Sequence, residues 1–544
     1  MRTRKIPIAA LVTAGLLCAG RDTIQPKRNE PQFQTSDRCL ACHNGLVTAS
    51  GADVSIGFHW RASIMANSSR DPYWQGSVRR EIIDHPESQA HIEDECSVCH
   101  MPITRYEAKL RGKQGEIFAH LPISTDGPEQ RQAADGVSCS VCHQITREKF
   151  GTRESFNGGF VVQGPGVDGN RTEYGPFEIQ KSRITIMRSS TEGYRPEEGK
   201  HIRESELCAT CHTLITTALG AGGKVIGSLP EQVPYPEWVH SDYRNKQSCQ
   251  DCHMPKINGP VQIARVLGEA RDGARLHSFV GSNFFMLNML NRYREELNVS
   301  ALPTELIASA QATVEFLQAE AATVAIEKIA EESGRLRADV VIRNKNGHKL
   351  PTAYPSRRVW LHFVVRDRDG RNVFESGALN PDGSIVGNDN DADPARFEPH
   401  YTEIRSADQV EIYESIIGDE NGHVTTGLLT GVRYLKDNRL LPDGFDKQTA
   451  DKDVAVIGDA FNDPGFTGGR HRIRYWAPLG AAAGPFTIEA ELWFQPIGFR
   501  WANNLKPYNR ADEPRRFNTY FDSMKSSTAA LLARSTVKTE PRTR

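Results

Sequence analysis

Between Thr304 and Ser333 the apolar residues Leu306, Ile307, Ala310, Val314, Leu317, Ala321 and Val324 recur at steps of three and four, with Pro303 before them and Gly334 after. That period predicts one long amphipathic helix, the core of a linking segment over 301–334. Beyond Gly334 the period drops to two. Leu336, Ala338, Val340 and Ile342 alternate with Arg337, Asp339 and Arg343, and Phe486, Ile488, Ala490, Leu492 and Phe494 alternate with polar or amphipathic neighbours. Residues 359–366, an Asp369-Gly370 turn and residues 372–375 read as a hairpin. These strands predict a β-sandwich of immunoglobulin-like layout over 335–500. Phe517–Ala533 returns to helical spacing, so 501–544 is expected to hold a C-terminal helix and a disordered polar tail from Thr536. The stretch 21–300 lacks such periodicity and is broken by turn formers such as Asn157-Gly158-Gly159, which predicts loops and short helices. The fold class is therefore α+β, a mostly α and irregular region followed by a long helix and an all-β domain.

Cysteine changes the picture of the first region. Ten of eleven cysteines form five C-x-x-C pairs, each followed by histidine: Cys39/Cys42-His43, Cys96/Cys99-His100, Cys139/Cys142-His143, Cys208/Cys211-His212 and Cys249/Cys252-His253. This string is the attachment signature of c-type haem: two thiols form thioethers with the porphyrin vinyls and the adjacent imidazole takes the iron. A thioredoxin-like pair or half a zinc site explains a single C-x-x-C, but not five with histidine in register. Five covalent haems over 21–300 leave roughly 55 residues each, a density at which porphyrin supplies much of the apolar core. Two glycine-rich decoys fall away. Gly164–Gly169 lacks the strand and helix of a dinucleotide fold, and Gly222-Gly223-Lys224 is followed by Val225 where Ser or Thr must hold magnesium.

The sixth ligands come from the remaining histidines, seven of which (His59, His85, His91, His120, His201, His240, His277) lie in the haem region. His/His ligation gives low-potential electron-transfer irons, whereas an empty position permits substrate chemistry. His59, beside Trp60, His120 and His201 in turn-rich segments, His85 before Pro86 and His277 in Leu276-His277-Ser278-Phe279 are the distal candidates; His91 and His240 read as surface residues. Met101 and Met254 directly follow proximal histidines and are expected to pack along a haem edge, and Met65 is a further ligand candidate. His348, in Asn346-Gly347-His348-Lys349-Leu350-Pro351-Thr352, carries two readings: a hairpin-turn residue, or a sixth ligand that reaches from the β domain to a haem.

The ordered C-x-x-C-H motifs, together with His253-Met254-Pro255, His277-Ser278-Phe279 and the Gly347–Thr352 turn, are similar to those of bacterial periplasmic multihaem cytochromes related to the tetrahaem cytochrome c and hydroxylamine oxidoreductase group. The resemblance covers most of the first 360 residues and implies haem binding. It does not choose between carrier and reductase, since such families hold both. Pentahaem ammonia-forming nitrite reductases bind their catalytic haem through C-x-x-C-K, and no such motif is present here.

Composition narrows the partners. Lys plus Arg (66) nearly cancels Asp plus Glu (68), which leaves no basic field for nucleic acid. Arg2, Arg4 and Lys5 before the apolar run 6–19 read as a signal peptide, residues 1–20, cleaved after Gly20; lipidation at Cys18 is the alternative, weakened by Leu17. A periplasmic or extracellular location follows. The expected partners are other cytochromes or quinol-linked membrane proteins, with a homo-oligomer or haem-bridged filament as a structural alternative. Electron carriage leads; reduction of a small nitrogen or sulfur oxyanion at one open haem is the runner-up. Asn388–Asp393 offers clustered oxygens for calcium but has Pro394 at the EF-hand glycine, so an acidic surface turn is preferred.

Overall fold

The structure, a computed structural model, describes residues 31–540, so the signal-peptide reading and Cys18 lie outside the described residues. The first region is built from short helices, the longest Pro72–Asp84 and Gln89–His100, with two-stranded ribbons such as Leu214–Leu219 against Val225–Gln232. No helix among the described residues is long and apolar enough to cross a membrane.

The second region is an antiparallel sandwich of two sheets. In one sheet the order is Asn372–Ser376, Arg358–Arg366, Thr487–Gln495, Ala530–Lys538, with Ile412–Tyr413 also paired to Arg358–Arg366. The other runs Glu403–Ile404, Arg470–Pro478, Arg335–Asn344, Ala322–Glu332, and only its short edge strand Glu403–Ile404 pairs in parallel. The alternating residues Leu336, Ala338, Val340 and Ile342 are fully buried, as are Val359, Leu361, Phe363 and Val365. Phe363 of one sheet stacks on Tyr475 of the other at 3.9 Å between ring centres, which closes the core between the layers.

Two predicted elements are corrected. The linking helix ends at Glu320, as Pro303–Glu320, and Ala322–Glu332 is a strand of the sandwich. Val324 and Ile326 pair with Ile342 and Val340, and Ser333-Gly334, both at positive φ, form the two-residue turn of that hairpin. Gly334 is thus a hairpin glycine and not a helix stop. Ile307, placed on the apolar face, is 53% exposed. The C-terminal helix is Asp512–Met524, and Ala530–Lys538 is an edge strand paired with Thr487–Gln495, so order continues past Thr536 where a disordered tail was expected. The sandwich therefore recruits strands from both sides of 335–500.

The two regions share one core. The C-terminal helix packs on Pro72–Asp84 through Tyr73 and Phe517, 4.9 Å apart, and the Arg79 guanidinium donates two hydrogen bonds to Glu513. Asn388–Asp393, read as a surface turn, is a partly buried helical turn: Asp391 accepts both arms of Arg358, and Asp389 faces Arg396. Arginines thus take up two of the three carboxylates that a calcium site would need, and Asp393 accepts from the Ala395 main chain.

On the sheet face, His362 lies between Glu375 and Glu491, 2.9 and 3.0 Å away. The carboxylates raise the His362 pKa above 6.5 despite burial, and hydrogen bonds from His362, Trp493 and Arg534 pull Glu491 from 4.5 to about 2. The histidine contribution is complete below pH 6.5 and fades as pH rises through its folded value; the Glu491 contribution is complete above pH 4.5 and fades toward pH 2. Stability from this cluster is expected to peak between pH 4.5 and 6.5. His362→Gln should remove the alkaline limb in denaturant unfolding followed against pH; an unchanged profile would refute the assignment.

Candidate functional site

All ten motif cysteines and all five motif histidines line one continuous cavity of about 1600 Å³. Ordinary small-molecule pockets hold about 300–1,000 Å³, so this space is built for something larger. The motifs sit on helical turns, for example in Gln89–His100, Cys139–Gln144 and Cys249–His253, where a spacing of three puts both thiols on one face. Motifs far apart in sequence meet through their sulfurs. The Cys139 thiol interacts electrostatically with Cys39, Cys99 with Cys211, Cys208 with Cys249 and Cys142 with Cys211. The first motif therefore adjoins the third, and the fourth adjoins the second, third and fifth.

Four of the five motif histidines are held in one tautomer. Nδ1 of His43 faces the Ile263 carbonyl at 2.5 Å, Nδ1 of His100 that of Ser68 at 2.9 Å, Nδ1 of His143 that of Tyr174 at 2.5 Å and Nδ1 of His253 that of Val280 at 2.6 Å. A carbonyl accepts only from N–H, so each Nδ1 carries the proton and Nε2 is left with its lone pair toward the cavity, the arrangement typical of metal-bound imidazoles. Burial keeps the rings neutral: it pulls His100 and His212 down to about 4 and lowers His43, His143 and His253.

Two further histidines share this design. His277 Nδ1 donates to the Arg275 carbonyl at 3.1 Å, and His348 Nδ1 to its neighbour Lys349 at 2.9 Å. His277 stands 6.4 Å from His143 between ring centres with planes 20° apart; His348 stands 6.2 Å from His253 with planes 9° apart. One metal ion bound to both rings through bonds of about 2 Å would hold their centres roughly 6.4 Å apart. Both rings are neutral through burial, His277 at about 3.

The other candidate histidines point elsewhere. His201 Nε2 faces the Ile145 carbonyl at 2.9 Å, His59 Nε2 lies 3.4 Å from the Asp53 carbonyl, and His85 Nε2 lies 3.4 Å from the Thr430 hydroxyl. None of these three, nor half-buried His120, lines the cavity. His91 is exposed beside Glu95, and His240 faces Asp451. Met101 is fully buried in a satellite core, whereas Met65 and Met254 line the cavity.

Sequence reasoning missed several cavity residues. Half-buried Tyr354 and Arg357 and buried Glu81 and Glu231 line the space near the second and fourth motifs. Arg357 meets no carboxylate among the described residues; its Nη1 donates to the Thr352 carbonyl, and burial lowers it to about 10. A lone arginine or tyrosine has no spacing signature, and only nearness to His348 in sequence could have drawn attention to these two.

No protein-family model matches the chain, and no curated protein does. Among solved structures, the penta-heme cytochrome c552 from Thermochromatium tepidum has a similar fold, with a TM-score of 0.51 at 15% identity over 94% of this chain and 100% of that one. The likeness spans both regions and is a likeness of fold.

Proposed function

We propose that the protein is an exported multihaem cytochrome that carries electrons along five covalently bound haems. The single observation that carries this reading is the convergence of all five C-x-x-C-H motifs on one cavity, with His277 and His348 facing His143 and His253 across a gap of metal-ligand size. The motif thiols would anchor the haems, the five motif histidines would bind the irons, and His277 and His348 would complete two of them. Bound haem would supply one-electron chemistry; the protein fixes tautomer, excludes water and brings neighbouring motifs into contact. Electrostatic coupling among the motif thiols supports an array that would run first, third and fourth, with the second and fifth branching from the fourth. The partners would be other redox proteins outside the cytoplasm.

A second reading, reduction of a small nitrogen or sulfur oxyanion, draws on Arg357, a half-buried guanidinium with no carboxylate partner among the described residues, which could hold such an anion or a haem propionate.

Spectroelectrochemical titration with electron paramagnetic resonance at each step tests both. Carriage predicts several overlapping low-potential steps with low-spin signals for the His143/His277 and His253/His348 sites. A high-potential titration without low-spin bis-histidine signals would refute it, and a high-spin signal perturbed by nitrite and lost in Arg357→Gln would favour reduction.

A further inference from the structure

The strand Arg171–Gly175 turns Arg171 and Glu173 to its covered side, at 1% and 7% exposure, beside the parallel strand Tyr194–Glu198. Glu173 lines the cavity, yet its Oε1 has no hydrogen-bond partner. A buried carboxylate normally collects N–H or O–H donors, and one that lacks them is costly as an anion. Arg171, the cation that acts on Glu173, is engaged elsewhere. Its Nη1 donates to the Pro31 carbonyl and its Nη2 to the Glu192 carbonyl at 2.8 Å, and its guanidinium lies 4.4 Å over the Tyr194 ring.

The position among the motifs gives this acid a use. Glu173 is electrostatically coupled to Cys39 of the first motif and to Cys139 and Cys142 of the third, and the carbonyl of the next residue, Tyr174, accepts from His143 Nδ1. It therefore stands where the haems of those two motifs would meet. On the multihaem reading above, on which this site depends, we propose that Glu173 binds one proton when the first or third haem is reduced and releases it on oxidation, so that the protein moves protons with its electrons.

The step balances. An electron from a redox partner turns one ferric iron ferrous, and a proton from water converts the Glu173 carboxylate to the acid; oxidation reverses both. Electrostatics sets the direction. Burial pushes the Glu173 carboxyl well above the usual carboxylate range, with Arg171 opposing. A ferric haem carries one more positive charge than a ferrous one and favours the anion, and reduction removes that charge in favour of the acid. The groups packed around Glu173 do not take over its task. Burial raises the Tyr194 phenol, the motif thiols become thioethers in the loaded protein, His143 is an iron ligand, and Asp135, also coupled to Cys139, accepts two hydrogen bonds from Ser36. The cavity wall continues from Glu173 through Tyr174, Gly175, Pro176 and Gln180 to the helix Lys181–Ser190, none of whose residues is buried, which gives the proton a way in from solvent.

The test is redox titration of the full, haem-loaded chain across the neutral pH range, with infrared difference spectra between the oxidised and reduced states. The potential of the first- or third-motif haem should fall as pH rises, and reduction should raise a protonated-carboxyl band that shifts with isotope-labelled glutamate, which separates it from haem propionates. Glu173→Gln should abolish both the slope and the band while haem content stays unchanged. A slope equal to the parent's in Glu173→Gln, or no labelled band in the difference spectrum, would overturn the site and leave a permanently neutral buried acid. Should that variant fail to fold, Glu173→Asp keeps an acid and should keep the slope while losing the labelled-glutamate band; retention of that band would overturn the site as well. Five haems with pH-independent potentials would remove the proton site alone, whereas a chain without haem would remove it together with electron carriage.

Discussion

His348→Ala is expected to turn one haem in five from low-spin to high-spin and to open it to cyanide. His348 is the imidazole that faces His253, 6.2 Å away and nearly parallel. The segment cannot easily drift into another pose. A Cβ on Gly347 would lie 3.1 Å from Tyr243 and 3.2 Å from Trp238, so the chain presses against the first region there, and the Tyr243 hydroxyl donates to the Lys345 carbonyl at 2.7 Å. His348→Met should keep six ligands and raise the potential of that haem, because thioether ligation favours the reduced iron. His240→Ala, which alters a histidine that faces Asp451, serves as the control and should leave the spectrum unchanged. Persistence of all low-spin signals in His348→Ala would show that the facing pair is not an axial pair.

Arg439→Met is expected to cost about 3–5 kcal/mol of stability, the usual penalty for removing one partner of a buried ion pair. Glu237, in the first region, accepts hydrogen bonds from Arg439 at 2.8 Å, from the Lys349 main chain at 3.1 Å and from the Thr352 hydroxyl at 2.5 Å. Arg439 also donates to Asp437, which receives Lys349 Nζ at 2.8 Å. The cluster is buried and joins the two regions on either side of His348. Without Arg439, Glu237 keeps its hydrogen bonds from Lys349 and Thr352 but loses its countercharge. Denaturant unfolding followed by circular dichroism should show the midpoint fall, and the double variant Glu237→Gln/Arg439→Met should recover part of it. A midpoint within experimental scatter of the parent would mean that the cluster contributes nothing to holding the regions together.

The five motifs and the strands with strict alternation, such as Leu336 to Ile342, were legible because their signals are local. Ala322–Glu332 was not, since Ala321 and Val324 continue a helical step by chance and the partner that converts the segment to a strand lies across a turn. Its β-branched content was the only hint. The same ambiguity hid Ala530–Lys538. Among the histidines, richness near the motifs showed that distal ligands were available but carried no information on which ring nitrogen would be spent on main-chain carbonyls. That detail separates His277 and His348 from His201 and His59.

The central claim is that the cysteine-lined cavity is filled by covalent haem. Peptide mass spectrometry of the mature protein, isolated from a host able to attach c-type haem, tests it most directly. Each of the five C-x-x-C-H peptides should carry one haem mass, and haem iron should reach five per chain. Motif peptides with free thiols or disulfides, or with zinc in place of haem, would contradict the account.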